Sequence, residues 1–409
     1  MQLCESHYSI CIIGCNVLFL QKIKDMDKPR NPFILGHRIS RPYFCDRVTE
    51  QAKLTSAVLN GRNVVLISPR RMGKTSLVYV SLYDSQEIKG DEYLVFFFDI
   101  LQTNSLGEFT YLLGKEIFNT LLSKSQAKVR GFLAALKSLK GTFGFDAITG
   151  TPTFNLQLGD IKHPEYTLEE IFGYIEQSEK PVIIVIDEFQ QITKYPEKNA
   201  EAILRSYMQR MSNASFVFAG SEQTLLQEMF VSSKRPFYNS AEIMHLGPIQ
   251  EDLYVDFARQ MFAEHGRGIE AEPIRWASRL FDGNTFYMQR VMNGAFVDTP
   301  EGDLCGMDTV HRSVCGMLAA NEIIYREILS NVSVSQKMLL FALAAEKVVK
   351  SPLGSEFIKR NSLTSASAVQ SALQKLTKAG LITKGDDGYR VADSLFRIFI
   401  NGVYGTPEL

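Results

Sequence analysis

Short continuous apolar runs alternate along the first 250 residues with longer stretches whose apolar positions recur at helical spacing. The runs are NVVLI (Asn63–Ile67), YLVFFFDI (Tyr93–Ile100), PVIIVI (Pro181–Ile186), SFVFA (Ser215–Ala219) and a weaker fifth at Glu242–Leu246. A run without polar alternation needs cover on both faces, as in a parallel strand flanked by helices. Between the runs, Arg47–Asn60 reads as a helix with Gly61 as its C-terminal cap, and Ser76–Tyr83 as a second. Ser105–Leu139 is helix-rich. Thr167-Leu168-Glu169-Glu170 has the spacing of a capping box that opens another helix. Thr142–Leu158 alternates apolar and polar residues around Thr149-Gly150-Thr151-Pro152, which predicts a hairpin. Strands alternating with helices predict an α/β fold with a parallel sheet and right-handed crossovers.

The pattern changes twice more. From Gln250 to about Ser330 it is helical, with a break at Phe281-Asp282-Gly283-Asn284. From Val332 a helix at Ser335–Lys347 precedes SEFIKRNSL and SASAVQSALQKLTKAGLI, two helices joined by a short turn and closed by Gly380. LITKG and YRVAD around Asp386-Asp387-Gly388 then predict a two-strand wing, the pattern of a winged helix. The expected organisation is an N-terminal extension (1–30), an α/β domain (31–248, with an insertion near 105–165), a helical lid (249–330) and a winged-helix domain (331–409). Tyr8–Leu20 is apolar but too short to span a bilayer and has no basic leader. It reads as a non-structural extension, with Met26 the better start. Ile12-Ile13-Gly14-Cys15 is lipobox-like, but too little apolar sequence precedes it, so an anchor is the lesser alternative and no membrane contact is expected.

Composition narrows the partners. Lys plus Arg number 44 and Asp plus Glu 45 among 409 residues, so no global basic field exists and any nucleic-acid contact needs a local patch. Six cysteines, Cys4, Cys11, Cys15, Cys45, Cys305 and Cys315, include no C-x-x-C pair, which favours a reducing, cytoplasmic setting.

The candidate chemistry follows the first and third apolar runs. Ile67–Leu77 reads ISPRRMGKTSL and ends as a phosphate-binding loop ends, in Gly73-Lys74-Thr75-Ser76, between a strand and a helix. Such a loop supplies backbone N–H groups, here from Arg70, Arg71 and Met72. They stand between Ser68-Pro69, where the proline stiffens the loop, and Gly73, which lets the backbone approach closely. Lys74 would reach the β- and γ-phosphates and Thr75 would hold Mg2+. Ser68 stands where the pattern has its first glycine; if that position needs positive φ, serine costs about 1 kcal/mol. After PVIIVI come Asp187 and Glu188, one placed to hold magnesium and the other to polarise a water. Ser221, after the fourth run, could sense the γ-phosphate, and Arg235 could add positive charge or act across a subunit interface.

These residues together resemble the archaeal-type P-loop ATPases, a family related to the AAA+ and STAND groups and also frequent in bacteria. The resemblance runs from Pro32 to the C-terminus and is carried most specifically by P-R-R-M-G-K-T-S, by VIIVIDEFQQI and by YRVADSLFRIFI. It implies ATP and Mg2+ as ligands, a helical lid and a C-terminal winged helix. It assigns Lys74 and Thr75 to phosphates and magnesium, Asp187 to magnesium and Glu188 to water activation. Two departures stand out: Cys45-Asp46-Arg47 replaces the family's Gly-Arg-Glu-like signature near the adenine, and Ser68 replaces glycine. A further family arginine finds Ser240 near its place.

Three functions are consistent with these features. The favoured one is an ATP-binding switch with slow Mg-dependent ATPase activity, acting on a protein partner or as a homo-oligomer. The alternatives are an ATP-controlled regulator that binds duplex DNA, and a degenerate nucleotide-binding scaffold. The winged-helix unit holds ten Lys plus Arg against six Asp plus Glu from Asn331 to Leu409. Its second helix offers Ser365, Ser367, Gln370, Lys375 and Lys378. DNA contact is the less favoured role for it.

Overall fold

The computed structural model describes residues 29–36, 39–84, 92–139, 144–145, 152–153, 161–385 and 387–404. The apolar stretch at Tyr8–Leu20, the start at Met26 and Cys4, Cys11 and Cys15 lie outside these residues. The strands in chain order are β1 (Val64–Ile67), β2 (Leu94–Asp99), β3 (Gly144–Phe145), β4 (Pro152–Thr153), β5 (Val182–Asp187), β6 (Ala214–Gly220), β7 (Glu242–His245), β8 (Gly268–Ile269), β9 (Leu304–Cys305), β10 (Ile382–Gly385) and β11 (Gly388–Val391). Five of them form one parallel sheet in the order β2-β5-β6-β1-β7. The antiparallel β3–β4 pair is the described part of the expected hairpin.

Side chains alternate between the two faces of a strand, so each run serves two cores. Val65, Ile67, Phe96, Phe98, Ile184, Ile186 and Phe218 pack with the helices Leu106–Leu122, Gln126–Ala135 and Pro164–Glu176. Val64, Leu66, Val95, Ile183, Val185 and Val217 face Leu54, Val58, Leu77 and Leu82 on the other side. The same face is also covered by Leu204 and Met208 of the helix Ala200–Arg210 and by Leu226 and Met229 of the helix Gln223–Val231. The helix expected to begin with a capping box at Thr167 begins instead at Pro164. Proline at the first helical position needs no N–H partner and has φ already set for the helix. That leaves the Thr167 hydroxyl to donate to the His163 carbonyl.

Beyond Ile249 the chain is helical: Glu251–Ala263, Ala271–Leu280, Thr285–Val297 and the long Met307–Ser330. The C-terminal unit has helices Val334–Glu346, Ser355–Arg360 and Ala366–Lys378, then the β10–β11 wing. A last helix, Ser394–Tyr404, was not foreseen in the pattern. Side chains of the helical region after Ile249 and of the winged helix, from Tyr254 to Ile400, share one continuous apolar cluster. Arg397, 2% exposed, ties them further by donating to the Leu280 carbonyl at 2.7 Å. No helix among the described residues is long and apolar enough to cross a membrane.

Directly beneath the end of β5 lies an aromatic knot. Phe189 meets Phe218 at 4.4 Å between ring centroids, Phe237 at 5.1 Å and Phe230 at 6.0 Å. It is fully buried and follows Glu188 in sequence, so its packing fixes the backbone next to that carboxylate. Removing such a ring leaves a cavity whose cost is about 3–5 kcal/mol. Phe189→Ala is therefore expected to lose about that much stability, read as a lower denaturation midpoint in urea.

Candidate functional site

The loop after β1 begins as a continuation of the sheet: the Ser68 N–H donates to the Gly220 carbonyl at 3.4 Å. Ser68 is 1% exposed and its hydroxyl donates to the Pro69 carbonyl. It is not among the residues with positive φ; those in the loop are Arg71 (68°) and Gly73 (84°). The cost expected at Ser68 is therefore absent, and the left-handed non-glycine residue is Arg71. Contacts with the lid hold Arg71 there. Its carbonyl accepts from the Phe286 N–H at 3.1 Å, and its guanidinium lies 4.5 Å from the Phe286 ring centroid. It donates to the Tyr287 hydroxyl at 3.1 Å and lies 3.6 Å from an Asp393 carboxylate oxygen. The Tyr287 hydroxyl donates in turn to Asp393 at 2.6 Å. Burial, and then the Asp393 carboxylate, hold this hydroxyl well above the usual tyrosine range.

Gly73 turns the chain into the helix Lys74–Tyr79. Helix formation thus starts two residues earlier than the expected Ser76, and Ser76 sits in its first turn. Lys74 places its ammonium 3.1 Å from Asp187 Oδ1 and 3.2 Å from Glu188 Oε1. The Thr75 hydroxyl donates to Asp187 Oδ2 at 2.9 Å. The meeting depends on strand order. β6 lies between β1 and β5, so the loop and the two carboxylates start two strand spacings, about 10 Å, apart.

Glu188 has left-handed backbone (φ 54°) and a carboxylate held on both oxygens. Lys74 holds Oε1, while Ser221 Oγ donates to Oε2 at 2.8 Å and Gln190 Nε2 at 2.6 Å. Burial alone would raise this carboxyl; the Lys74 charge and the hydrogen bonds from Gln190, Ser221 and Lys74 outweigh it and hold the group below the usual carboxylate range. Arg70 donates from Nε to the Ser221 hydroxyl at 3.4 Å. Met72 is buried beside the loop.

The structure therefore brings Arg70, Lys74, Thr75, Asp187, Glu188 and Ser221 together. Arg235 it takes elsewhere: its ion pairs are with Glu201 at 3.3 Å and Glu228 at 3.9 Å, on the two helices that flank β6. Two carboxylates close at hand thus hold that guanidinium, and no contact joins it to the loop among the described residues. Ser240 donates to the Phe237 carbonyl, a turn contact. At Cys45-Asp46-Arg47, Arg47 is buried, donates to the Gly247 carbonyl at 2.6 Å and pairs with Glu50. Burial, with the neighbouring Asp46 charge, pushes the Cys45 thiol up to about 12. The sequence missed Gln190, Tyr287 and Asp393 as members of the site. Gln190 and Asp393 do stand inside the quoted segments VIIVIDEFQQI and YRVADSLFRIFI.

A parallel sheet in this order, with a Gly-Lys-Thr loop after one strand and Asp-Glu two strands away, defines a P-loop NTPase site. Residues 44–291 match the family model of an ATPase domain predominantly from Archaea, and residues 323–402 that of a winged helix domain. The first match covers more than half of the chain, which belongs to this archaeal-type ATPase family. Among solved structures, the chain is similar to the Walker-type ATPase paby2304 of Pyrococcus abyssi, with 18% identity, TM-score 0.59 and 90% of this chain and 99% of that one covered. It is also similar to the Aeropyrum pernix ORC2 protein in its ADPNP–ADP complexes, at 15% identity and TM-score 0.55 over 92% and 98% of the two chains. No curated protein matches the chain.

Because Ser68 has no positive φ to relieve, Ser68→Gly is expected to leave nucleotide affinity within about threefold and not to raise stability, since glycine adds unfolded-state freedom. Equilibrium binding of a fluorescent ATP analogue, with a thermal melt alongside, checks both expectations.

Proposed function

We propose that the protein is an ATP-binding switch with slow, Mg-dependent ATP hydrolysis. The observation that carries this reading is the convergence of Lys74, Thr75, Asp187 and Glu188 within hydrogen-bond distance at one end of the sheet. The nucleotide in the ORC2 complexes supports ATP as the ligand. The Thr75 hydroxyl and the Asp187 carboxylate are hard oxygen donors 2.9 Å apart, a set that suits Mg2+. Bound there, the ion would neutralise phosphate charge.

The chain's own residues do the rest. Lys74 is shared between two carboxylates, and the phosphates compete with them for it. When Lys74 moves to the phosphates, Glu188 Oε1 is free to accept a hydrogen bond from water. The water oxygen then bonds to the γ-phosphorus as the bond to the bridging oxygen breaks, and the proton leaves through Glu188 to solvent. Backbone N–H groups at the start of Lys74–Tyr79 bind the phosphates. Arg71 links the loop to the rest of the molecule. Its contacts with Phe286, Tyr287 and Asp393 join three parts of the chain, so a loop reshaped by phosphate alters the seat of the winged helix.

The scaffold alternative rests on two departures, Ser68 and Cys45-Asp46-Arg47; the first carries no left-handed strain, and the second still stands. The DNA alternative rests on the helix Ala366–Lys378, whose solvent face presents Ser367, Gln370, Ser371, Gln374, Lys375 and Lys378. It requires duplex binding that weakens steeply with salt.

Wild type, Lys74→Ala and Glu188→Gln are expected to separate binding from turnover. Lys74→Ala should lose ATP binding; it also leaves two carboxylates without their cation, so a melt is run beside it. Glu188→Gln should bind ATP normally and turn over about 10²–10³-fold more slowly. Wild-type protein that binds no ATP in magnesium would end this reading. For the coupling, Asp393→Asn should raise hydrogen exchange in Ser394–Tyr404 in the ATP-free protein, where exchange mass spectrometry follows it.

A further inference from the structure

Gln190 is fully buried, 1% exposed, in the turn that follows Glu188. Its backbone carbonyl accepts from the Thr193 hydroxyl at 2.8 Å, so the residue is fixed at its root. One end of its amide serves Glu188, with Nε2 donating to Oε2 at 2.6 Å. The other end, Oε1, is buried and has no hydrogen-bond partner among the described residues. Leaving a buried acceptor unpaired costs about 1–3 kcal/mol. A leucine or methionine would fill the same space without that cost, so packing does not explain an amide here. The amide orientation is also forced: an ionised carboxylate only accepts, so the NH2 end must face Glu188.

A second feature points the same way. Gly220 closes β6, and a Cβ at that position would lie 2.1 Å from Gln190 Oε1 and 3.0 Å from Leu226 Cδ2. Gly220 has no positive φ, so its backbone does not require glycine. The missing side chain makes room for the Gln190 amide.

We propose that Gln190 is a positioning residue for Glu188: with Ser221 it anchors Oε2, so that Oε1, now paired with Lys74, is the oxygen presented to the attacking water. This rests on the ATPase reading above. The two oxygens have different neighbours. Oε2 takes both neutral donors, and Lys74, which the phosphates draw away, holds Oε1. Departure of the ammonium therefore frees one oxygen while the other stays fixed. Without Gln190 the carboxylate keeps its charge and its place near the phosphates but can rotate.

The test is Gln190→Met, nearly the same shape without the donor, measured beside wild type for turnover, for binding of a non-hydrolysable ATP analogue, for trapping of ADP with aluminium fluoride, and for melting. The expected result is a kcat at least about tenfold lower and trapping weaker by a similar factor. KM and analogue affinity should stay within about twofold, and the melting temperature should stay close to that of wild type, because the lost bond to Glu188 Oε2 and the removed unpaired acceptor have opposite effects of similar size. A merely structural role would instead lower the melting temperature and affect binding along with turnover. Wild-type kcat in the variant overturns the proposal, as does a loss that tracks weaker binding or a lower melting temperature. Wild type that binds the analogue but shows neither turnover nor trapping overturns the ATPase reading and this proposal together, which a normal wild type beside a normal variant does not.

Discussion

The ammonium of Lys74 between the carboxylates of Asp187 and Glu188 is the contact around which the molecule is arranged. Their side chains are 9%, 7% and 14% exposed. Charges so shielded are stable only when paired and further hydrogen-bonded, and any one of them alone would be costly. Thr75, Ser221 and Gln190 supply the additional bonds. The sheet order supplies the geometry, because only β6 separates the strand that leads to the lysine from the strand that ends in the acids. The aromatic knot around Phe189 stops the Glu188 backbone from yielding.

This closed arrangement is self-sufficient, which matters for how a ligand would act on it. Phosphate entering the loop must take Lys74 from two carboxylates, so binding would both recruit the lysine and release the acids. In the proposed switch the same event prepares hydrolysis and changes the loop. The change need not travel far: Arg71 already touches the lid through Phe286 and Tyr287, and the winged helix through Asp393. An exposed ion pair such as Arg71–Asp393 contributes about 0–1 kcal/mol. It therefore serves as a bias on an arrangement held mainly by the shared apolar cluster and the buried Arg397. A weak link is what a reversible switch requires, since a strong one would not respond to the few kcal/mol that distinguish nucleotide states.

Much of this was legible in the residues. Continuous apolar runs marked four of the five sheet strands well and the exposed edge strand β7 weakly, because parallel strands buried on both faces leave no polar alternation. Gly73-Lys74-Thr75 and Asp187-Glu188 were visible for a related reason: each follows such a run directly, and chemistry at strand ends is local in sequence. Boundaries governed by single residues were harder. Pro164 moved a helix start away from Thr167, and the final helix Ser394–Tyr404 escaped notice because its apolar face reads like a strand run.

What the linear pattern determined, then, was the set of elements and the two motifs, since both depend on neighbours within a few residues. What only the tertiary structure decided was which side chains meet. Arg235 stands among basic and aromatic residues in sequence, yet two nearby carboxylates hold it away from the loop. Ser68 looked like a strained replacement for glycine, yet the left-handed turn falls at Arg71 because the lid holds that residue in place. Gly220 needs no glycine for its own backbone, yet the room it leaves is for Gln190. In each case at least one deciding partner lies some thirty to two hundred residues away in the chain, at Glu201, Phe286 or Gln190, and local propensity carries no information about it.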